Sequence, residues 1–501
     1  MSLNNFNRCL LAAVVLGTAM WIGCNKANEN GKSAQLSADT GKVPITTKSE
    51  EARKEFLQGR DLSERLLGQE SVQHFDKAIQ LDPDFASAEL ARANASPTAK
   101  EFFEHLKKAE GLADKASDGE KLLILANVAG VNGETVKQQN YLEKVVAAYP
   151  NDERAQFALG VYHFGQQEYA PAIDHCAKAA ELASNYSPSY NILGYAYRQR
   201  GDYGNAEKAF QKYIELIPND PNPYDSYAEL LLKMGKFDDS IAQYRKALSV
   251  DSHFVPSHSG IAADLTYMGK ADEAVAELLR LAEQARNDGE LRLAYFDLAV
   301  VAADGGKLDK AVQQIGREYA IAEKKNDAAF MAADLQAKGN ILLEEQKYDD
   351  AKRQFDRSLQ TIEGSGLSQE IKENARLFDN FNEAAVAVGK RDYAAAKTQA
   401  EEFRKGAEVS KNSVQVRQAH ELAGRIALAQ KQYDNAIAEL QQANQEDPQN
   451  LYRLCQAYQG KGDTAKAQDY CSKAAAFNSL LQLNYAFVRT RAQKMAAGKK
   501  S

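Results

Sequence analysis

Apolar and small residues recur along most of this 501-residue chain at the spacing of amphipathic helices, and strand-like alternation is hard to find. The clearest stretch is LGYAYRQRGDYGNAEKAF at residues 193–210. In it, Tyr197 and Phe210 are large and apolar, whereas Gly194 and Ala206 are small. The sequence GDY between the two halves is typical of a turn. The pattern therefore predicts a hairpin of two helices that approach each other closely at the small residues.

The small residue of the first helix can be followed through the chain. The first seven such positions are 33 or 34 residues apart, and the later steps range from 31 to 45 residues. A period of this length indicates a repeat array in which each unit buries its apolar face against its neighbours. Twelve hairpins are predicted, with the small residue at Gly59, Ala93, Ala126, Gly160, Gly194, Ala228, Ala262, Ala299, Gly339, Ala384, Gly424 and Cys455.

Composition supports an all-α fold. Proline breaks helix interiors, and the chain has only 11 prolines, with none between Pro256 and Pro448. The formal net charge is −7, which argues against nucleic acid as a partner because proteins that bind phosphates carry a basic surface.

The small, large apolar and turn positions of residues 193–210, together with Pro218 after the second helix, resemble the tetratricopeptide repeat. The resemblance implies a right-handed α-solenoid of about twelve hairpins, whose first helices line a concave groove. It also implies that the groove binds other proteins or peptides. Residues 478–497 are predicted to form a final capping helix.

The predicted organisation has five parts. Residues 1–23 form a signal peptide, and residues 24–50 form a lipidated cysteine and a flexible tether, since this segment has no aromatic residue with which to build a core. Residues 51–285 form the regular 34-residue array. Residues 286–447 form longer, divergent hairpins, and residues 448–501 form the last hairpin and a capping helix with a basic tail.

The first apolar run, CLLAAVVLGTAMWI, has fourteen residues, whereas a membrane-spanning helix needs roughly 20. Arg8 before it and the small Gly23 after it are typical of a secretory signal peptide. Ile22-Gly23-Cys24 resembles the lipobox of bacterial lipoproteins, although Trp21 stands where that motif usually has leucine. The resemblance implies cleavage before Cys24, lipidation of that cysteine and a cell-envelope location, on the periplasmic side of the outer membrane. The alternative is an ordinary signal peptide with a chance cysteine, or an uncleaved anchor.

No catalytic constellation is predicted. The seven histidines match no metal motif, since HELAG at residues 420–424 lacks the second histidine of a zinc-binding helix, and we interpret them as surface residues. The sequence also has no glycine-rich phosphate loop and no nucleophile elbow. We therefore expect no enzyme activity, no metal and no cofactor.

Three cysteines lie in the predicted array. The tetratricopeptide resemblance implies that Cys455, on the first helix of the last hairpin, faces Cys471 on the second helix. A cell-envelope location permits a disulfide between them. The alternative is that both are small buried core residues. Cys176 is expected to be an inert core residue.

The repeat phase also predicts which side chains face the groove. In three neighbouring hairpins they form an aromatic patch beside polar groups, a kind of surface that anchors a peptide or a helix. The alternative is that the aromatic residues pack against the next hairpin. The Lys, Arg and Asn clamp with which some relatives bind C-terminal carboxylates is missing. The candidate partner-binding residues are Phe157, Phe164, Asn191, Tyr195, Arg198, Asp225 and Glu229.

The C-terminal end of the chain is basic. No acidic residue follows Asp469. The positive charges suit contact with anionic lipid or an acidic partner, or a capping helix whose cations favour the helix C-terminus. These positive residues are Lys473, Arg489, Arg491, Lys494, Lys499 and Lys500.

The leading functional hypothesis is a non-enzymatic, membrane-tethered scaffold of the bacterial cell envelope that binds proteins through its groove. The alternative is an envelope adaptor that binds glycan or polysaccharide for an export machine. The loss of Trp21, the only tryptophan, with the signal peptide argues against sugar stacking in the alternative.

Overall fold

The computed structural model describes residues 41–498, so the signal peptide, Cys24 and most of the predicted tether lie outside it. Within these residues the regular secondary structure consists of 25 α-helices and the short 3-10 helix Ala113–Lys115, and the all-α prediction is confirmed. The α-helices are α1 (Glu50–Glu64), α2 (Gly68–Leu81), α3 (Ala86–Asn94), α4 (Ala99–Leu112), α5 (Asp118–Val131), α6 (Thr135–Ala148), α7 (Glu153–Gly165), α8 (Tyr169–Leu182), α9 (Ser187–Gln199), α10 (Tyr203–Leu216), α11 (Asn222–Lys233), α12 (Phe237–Val250), α13 (Val255–Tyr267), α14 (Ala271–Gln284), α15 (Asp288–Asp304), α16 (Leu308–Lys324), α17 (Ala328–Glu344), α18 (Tyr348–Glu363), α19 (Gln369–Gly389), α20 (Tyr393–Ser410), α21 (Ser413–Ala429), α22 (Tyr433–Leu440), α23 (Pro448–Lys461), α24 (Thr464–Ala475) and α25 (Leu483–Ala496).

Helices α1 to α24 follow one another as twelve hairpins, in which each odd-numbered helix is the first and each even-numbered helix the second. All twelve predicted small residues lie on first helices and are buried. At Gly194 an added Cβ would lie 2.5 Å from the Phe210 ring, and at Gly339 it would lie 2.3 Å from the Phe355 ring. The close approach predicted from the small residues is therefore confirmed.

The predicted GDY turn closes the hairpin of α9 and α10. Gly201 has φ +75°, in the left-handed region that favours glycine. Its N–H donates to the Arg198 carbonyl, and the Asp202 N–H donates to the Tyr197 carbonyl, both at 3.0 Å. These two bonds satisfy carbonyls that the end of α9 would otherwise leave unpaired.

The helices lengthen where the repeat step lengthens. Helices α1 to α14 have between 9 and 15 residues, whereas α15 to α21 have between 16 and 21. A longer step therefore adds helical turns to a hairpin and keeps the pairing of its two helices.

The apolar core is a row of clusters, each of which joins neighbouring hairpins. One cluster contains Phe157 of α7, Cys176 of α8 and Ile192 of α9. Another contains Phe403 of α20 and Leu422 of α21. Each hairpin is thus stabilised by its neighbours, as expected for a solenoid.

The chain divides into two compact units, which are described separately. The described part of the N-terminal unit comprises residues 41–97 and 101–230, and that of the C-terminal unit comprises residues 98–100 and 231–498. Repeat spacing gives no sign of this division, because the 34-residue steps continue across residue 230.

The first hairpin of the N-terminal unit contacts hairpins that are distant in sequence. Arg65, directly after α1, donates through Nε to Asp220 Oδ2 at 2.7 Å. Arg154, at the start of α7, donates to both carboxylate oxygens of Glu64 at 2.7 and 3.0 Å. The Arg154 guanidinium also lies 4.8 Å from the centroid of the Tyr186 ring. These contacts join the first hairpin to hairpins that lie 90 to 155 residues further along the chain.

The predicted tether is shorter than residues 24–50. Residues 42–49 lie against the N-terminal unit, because Val43 and Ile45 are buried in its first apolar cluster. Three carboxylates at the starts of successive hairpins accept backbone N–H groups from this segment: Asp152 from Val43 (2.9 Å), Glu120 from Thr46 (3.1 Å) and Asp82 from Lys48 (2.9 Å). Two buried aliphatic residues and several hydrogen bonds thus hold a segment that lacks aromatic residues.

In the C-terminal unit, the predicted capping helix is present as α25. It packs on both helices of the last hairpin and also along α15. Of the predicted basic residues, Arg489 pairs with Asp304 and Arg491 pairs with Glu344, so these two cations bind within the protein. In the described part of the chain, no helix is both long enough and apolar enough to cross a bilayer.

Gly339→Ala should destabilise the protein by about 1–3 kcal/mol, because the new methyl group overpacks the buried Phe355 ring. The matched control is Gly316→Ala in the preceding helix α16, where an added Cβ meets no atom within 4 Å. This control should gain about 0.5–1 kcal/mol from helix propensity. Urea unfolding followed by circular dichroism measures both changes, and equal midpoints for the two variants would contradict the packing argument.

Candidate partner-binding site

Three of the predicted groove residues share one face of α9. Asn191, Tyr195 and Arg198 occupy positions i, i+4 and i+7 of this helix, which places them in a row. All three side chains are half-buried. This row forms the centre of the candidate site.

Glu229 of α11 joins Tyr195 and Arg198. The Tyr195 hydroxyl donates to Glu229 Oε1 at 2.9 Å, and Arg198 Nη1 donates to Glu229 Oε2 at 3.1 Å. The Tyr195 hydroxyl also lies 3.2 Å from Ser226 Oγ. The Arg198 guanidinium lies 4.6 Å from the centroid of the Tyr195 ring, within cation–π distance. Since each carboxylate oxygen has its own donor, the three side chains are held in one arrangement.

Burial keeps the Tyr195 phenol neutral. It raises the pKa of Tyr195 well above its ordinary value, and the negative charge of Glu229 raises this pKa further. The ring contacts Phe210 edge-on, with the ring centroids 5.2 Å apart. At neutral pH the site therefore contains a neutral hydroxyl beside one ion pair.

Two polar atoms of the α9 row have no hydrogen-bond partner among residues 41–498. They are Asn191 Oδ1, an acceptor, and Arg198 Nε, a donor. A buried polar group without a partner costs about 1–3 kcal/mol. Both atoms are inaccessible to solvent, so a ligand would contact other, exposed parts of these side chains.

The aromatic patch predicted for the groove is smaller than expected. Phe157 is fully buried, and its ring packs edge-on against Tyr186 with the centroids 5.5 Å apart. Phe164 is half-buried against Tyr169 of its own hairpin. Asp225 is only 3% exposed. For Phe157 and Asp225, assignment to an open surface was wrong, because both side chains are buried, and Phe157 is covered by Tyr186 at the start of the next hairpin.

Sequence reasoning missed the contact between Tyr195 and Glu229, although a signal was present. The two residues are 34 apart, which is one repeat step, and therefore occupy the same position in adjacent hairpins. Equivalent positions of neighbouring first helices are side by side in a solenoid.

The cysteines occupy the core of the array. Cys455 and Cys471 form a disulfide between α23 and α24, with their Cα atoms 5.1 Å apart. Cys176 is buried as a free thiol. Burial raises the pKa of the Cys176 thiol, so this residue has little reactive thiolate.

Several histidines connect the two helices of a hairpin. His74 Nδ1 lies 2.8 Å from Glu55, His258 Nδ1 lies 2.5 Å from Glu277, and in both pairs the residues are 19 apart in sequence. The interpretation as surface residues was wrong for His163 and His258, which are buried. Among the described residues, no group of three or more His, Cys, Asp and Glu side chains could hold a metal ion.

Comparison with protein families gives one consistent result. The family model described as tetratricopeptide repeat-like domain matches residues 261–375. One model described as tetratricopeptide repeat matches residues 187–220 and 222–254. A second model with the same description matches residues 139–187 and 381–450. The chain is a tetratricopeptide repeat protein. Tetratricopeptide repeats bind other proteins or peptides, so the fold supports a protein-interaction scaffold.

Curated relatives of this tetratricopeptide repeat protein are distant. Cellulose synthase operon protein C of Xanthomonas axonopodis pv. citri is 26% identical over 353 residues, which are 67% of this chain and 22% of the relative. BBSome complex member BBS4 of Bos taurus is 25% identical over 36% of this chain and 34% of its own. Superkiller complex protein 3 of Mus musculus is 28% identical over 28% of this chain and 9% of its own. Each match thus spans about a third or less of the relative.

The similarity to solved structures is limited. The Cut9–Hcn1 hetero-tetramer of APC/C has 13% identity and a TM-score of 0.41, and the match covers 84% of this chain and 76% of that one. MamA has 23% identity and a TM-score of 0.28, over 32% of this chain and 89% of that one.

Asp264 of α13 is a buried carboxyl group outside the candidate site. Burial raises the pKa of Asp264 to about 8, and the charge of Asp238 contributes in the same direction. Strongly shifted pKa values often mark functional sites. Asp264 has no exposed surface, however, and a fully buried carboxyl group does not contact a ligand. We therefore assign Asp264 an effect on stability.

Raising the pH from 5 to 8 should lower the free energy of unfolding of the Asp264→Asn variant by less than it lowers that of the wild type. In this window the unfolded chain has ionised Asp264, whereas the folded protein keeps the proton, so rising pH favours unfolding. The urea midpoint of the wild type should therefore fall more steeply with pH than that of the variant. The control is Asp309→Asn at an exposed position, which should keep the wild-type slope. Equal slopes for wild type and Asp264→Asn would contradict the assignment.

Proposed function

We propose that this protein is a non-enzymatic, membrane-tethered scaffold of the bacterial cell envelope. It binds an extended segment of a partner protein at the α9 row, and a lipid on Cys24 holds it at the membrane. The observation that carries the partner site is the row of three partly exposed side chains on α9, Asn191, Tyr195 and Arg198, two of which Glu229 holds in place.

The fixed arrangement around Glu229 supports a peptide ligand. Because the carboxylate already binds Tyr195 and Arg198, the row is ordered before a partner arrives. A preformed site loses less conformational entropy on binding. The α9 row therefore fits a segment that contacts partly exposed polar and aromatic side chains over about two helical turns.

The lipid anchor rests on the sequence alone, because Cys24 lies outside the described residues. The lipobox-like Ile22-Gly23-Cys24 supports it. The Cys455–Cys471 disulfide is consistent with the same location, since disulfides persist in the periplasm and are rare in the cytosol.

Cys24→Ser should move the protein from the membrane fraction to the soluble fraction, because the lipid would have no sulfur to attach to. The matched control is Cys9→Ser, the other cysteine near the N-terminus, which should stay in the membrane fraction. Fractionation of envelopes followed by immunoblotting measures both. Membrane retention of the Cys24→Ser protein after a carbonate wash would contradict lipidation at this residue.

Asn191→Ala combined with Arg198→Ala should reduce partner capture from chemically crosslinked envelopes. We expect roughly tenfold less partner, as for the loss of a little more than 1 kcal/mol of binding free energy. The control is Lys208→Ala with Gln211→Ala on the exposed face of α10 in the same hairpin. Quantitative mass spectrometry reads out the capture, and circular dichroism checks the helix content. Undiminished capture by a folded double variant would exclude the α9 row.

A second candidate is an adaptor for polysaccharide export. The similarity to cellulose synthase operon protein C over 353 residues favours it. The same crosslinked capture separates the two candidates, because an adaptor of this kind would return glycan that depends on Asn191 and Arg198. A partner scaffold would return proteins instead.

A further inference from the structure

Four successive first helices end in residues of one repeat position. The last residues of α11, α13, α15 and α17 each lie five residues after the small packing residue of their hairpin. They therefore follow one another along the same edge of the solenoid. We call them the end row: Lys233, Tyr267, Asp304 and Glu344.

All four residues of the end row bind one segment, which lies just before and within α25. Lys233 Nζ donates to the Phe477 carbonyl at 2.9 Å, and the Tyr267 hydroxyl donates to the Ser479 carbonyl at 2.7 Å. The acidic half of the row binds two arginines of α25: Arg489 Nε donates to Asp304 Oδ1 at 2.6 Å, and Arg491 lies 2.6 Å from Glu344.

Aromatic contacts accompany these polar contacts. Lys233 Nζ lies 4.1 Å from the centroid of the Phe477 ring. The Tyr485 ring packs edge-on against Tyr267 at 5.3 Å, and the Arg489 guanidinium lies 5.3 Å from the Tyr267 ring. The segment therefore contributes an aromatic residue, two backbone carbonyls and a basic helix in a fixed order.

The charges of the end row specify what can occupy it. Asp304 and Arg489 are both largely buried, with side chains 8% and 11% exposed. A buried carboxylate without its cation is strongly unfavourable. At the other end of the row, Lys233 and Tyr267 donate hydrogen bonds, so an occupant must present acceptors there. An occupant must therefore carry a non-helical stretch with free carbonyls, followed by a helix with positive charges.

We propose that the end row is a recognition surface for a helix of this type, a basic helix preceded by an aromatic extended stretch, and that residues 477–496 are its built-in, displaceable occupant. A partner with the same pattern binds only in competition with this segment. The end row has no residue in common with the α9 row, so its test does not bear on the proposed function.

The segment also has contacts that hold it to the last hairpin without the end row. Asn484 Nδ2 donates to Asp447 Oδ2 at 2.8 Å, and the Tyr485 hydroxyl donates to the Ala475 carbonyl at 2.7 Å. Substitutions at Arg489 and Arg491 therefore weaken occupation of the end row and leave these capping contacts in place.

The probe is a synthetic peptide of residues 477–496 with an N-terminal fluorophore, and binding to the full-length protein is measured by fluorescence anisotropy. In the wild type, the tethered segment competes at an effective concentration on the order of millimolar, so the peptide should bind weakly. Arg489→Glu with Arg491→Glu places negative charges opposite Asp304 and Glu344. This variant should bind the peptide at least roughly tenfold more tightly than the wild type does.

The matched control is Lys473→Glu with Lys494→Glu, which makes the same change in net charge at exposed positions and should behave like the wild type. A peptide with glutamate at both arginine positions should bind none of the proteins. Equal affinity of the original peptide for wild type and the Arg489/Arg491 variant would overturn the proposal, and so would an absence of binding to a variant with wild-type helix content.

A milder variant covers the case in which double charge reversal prevents folding. Arg491 is half-exposed, with 43% of its side chain accessible, so Arg491→Gln leaves a folded protein that has lost one ion pair of the end row. It should bind the peptide about threefold more tightly than the wild type, as for about 0.7 kcal/mol of weakened competition. Unchanged affinity would count against the proposal.

Discussion

The close approach of two helices at one small residue per hairpin is the constraint on which this protein depends. At Gly339 and Gly194, an aromatic ring from the second helix fills the space that a side chain would take. The same position is small in all twelve hairpins, so the same distance between helices is repeated along the chain. Because each hairpin buries its apolar face against its neighbours, this local distance constrains every hairpin of the array. Hairpin length can then vary, as it does from α15 to α21, without loss of pairing.

A repeat array has two ends at which a hairpin lacks a neighbour, and this chain covers apolar surface with short additional segments. In the N-terminal unit, residues 42–49 place two aliphatic side chains into the first cluster and give their N–H groups to carboxylates of three hairpins. In the C-terminal unit, α25 covers the last hairpin and extends to the end row. Both segments bind residues of several successive hairpins. Such segments therefore indicate what kinds of ligand the edges of the array can hold.

The sequence was sufficient to predict the features that depend on local spacing. The twelve small residues, the turn at Gly201 and the longer helices after α14 are all properties of one hairpin, and the structure has each of them. The burial of Phe157 was not predictable in this way. Its exposure depends on the residue that packs over it, and here Tyr186 at the start of the next hairpin covers the Phe157 ring. Repeat phase gives the direction of a side chain, whereas its contacts with the next hairpin decide whether it reaches solvent.

Equivalent repeat positions carry different side chains in different hairpins. The fold therefore repeats its geometry from hairpin to hairpin, whereas the chemistry of its surface changes. Asn191 and Asp225 are one repeat step apart, yet only Asn191 has an unpaired acceptor on its row. Lys233, Tyr267, Asp304 and Glu344 share a position but offer two donors followed by two carboxylates. The helices fix the spacing between successive hairpins. The side chains at one repeat position then form an ordered row, and a ligand must match that order. A solenoid of this kind gains specificity from the order of residues along a row, because the close approach of the two helices is repeated from hairpin to hairpin.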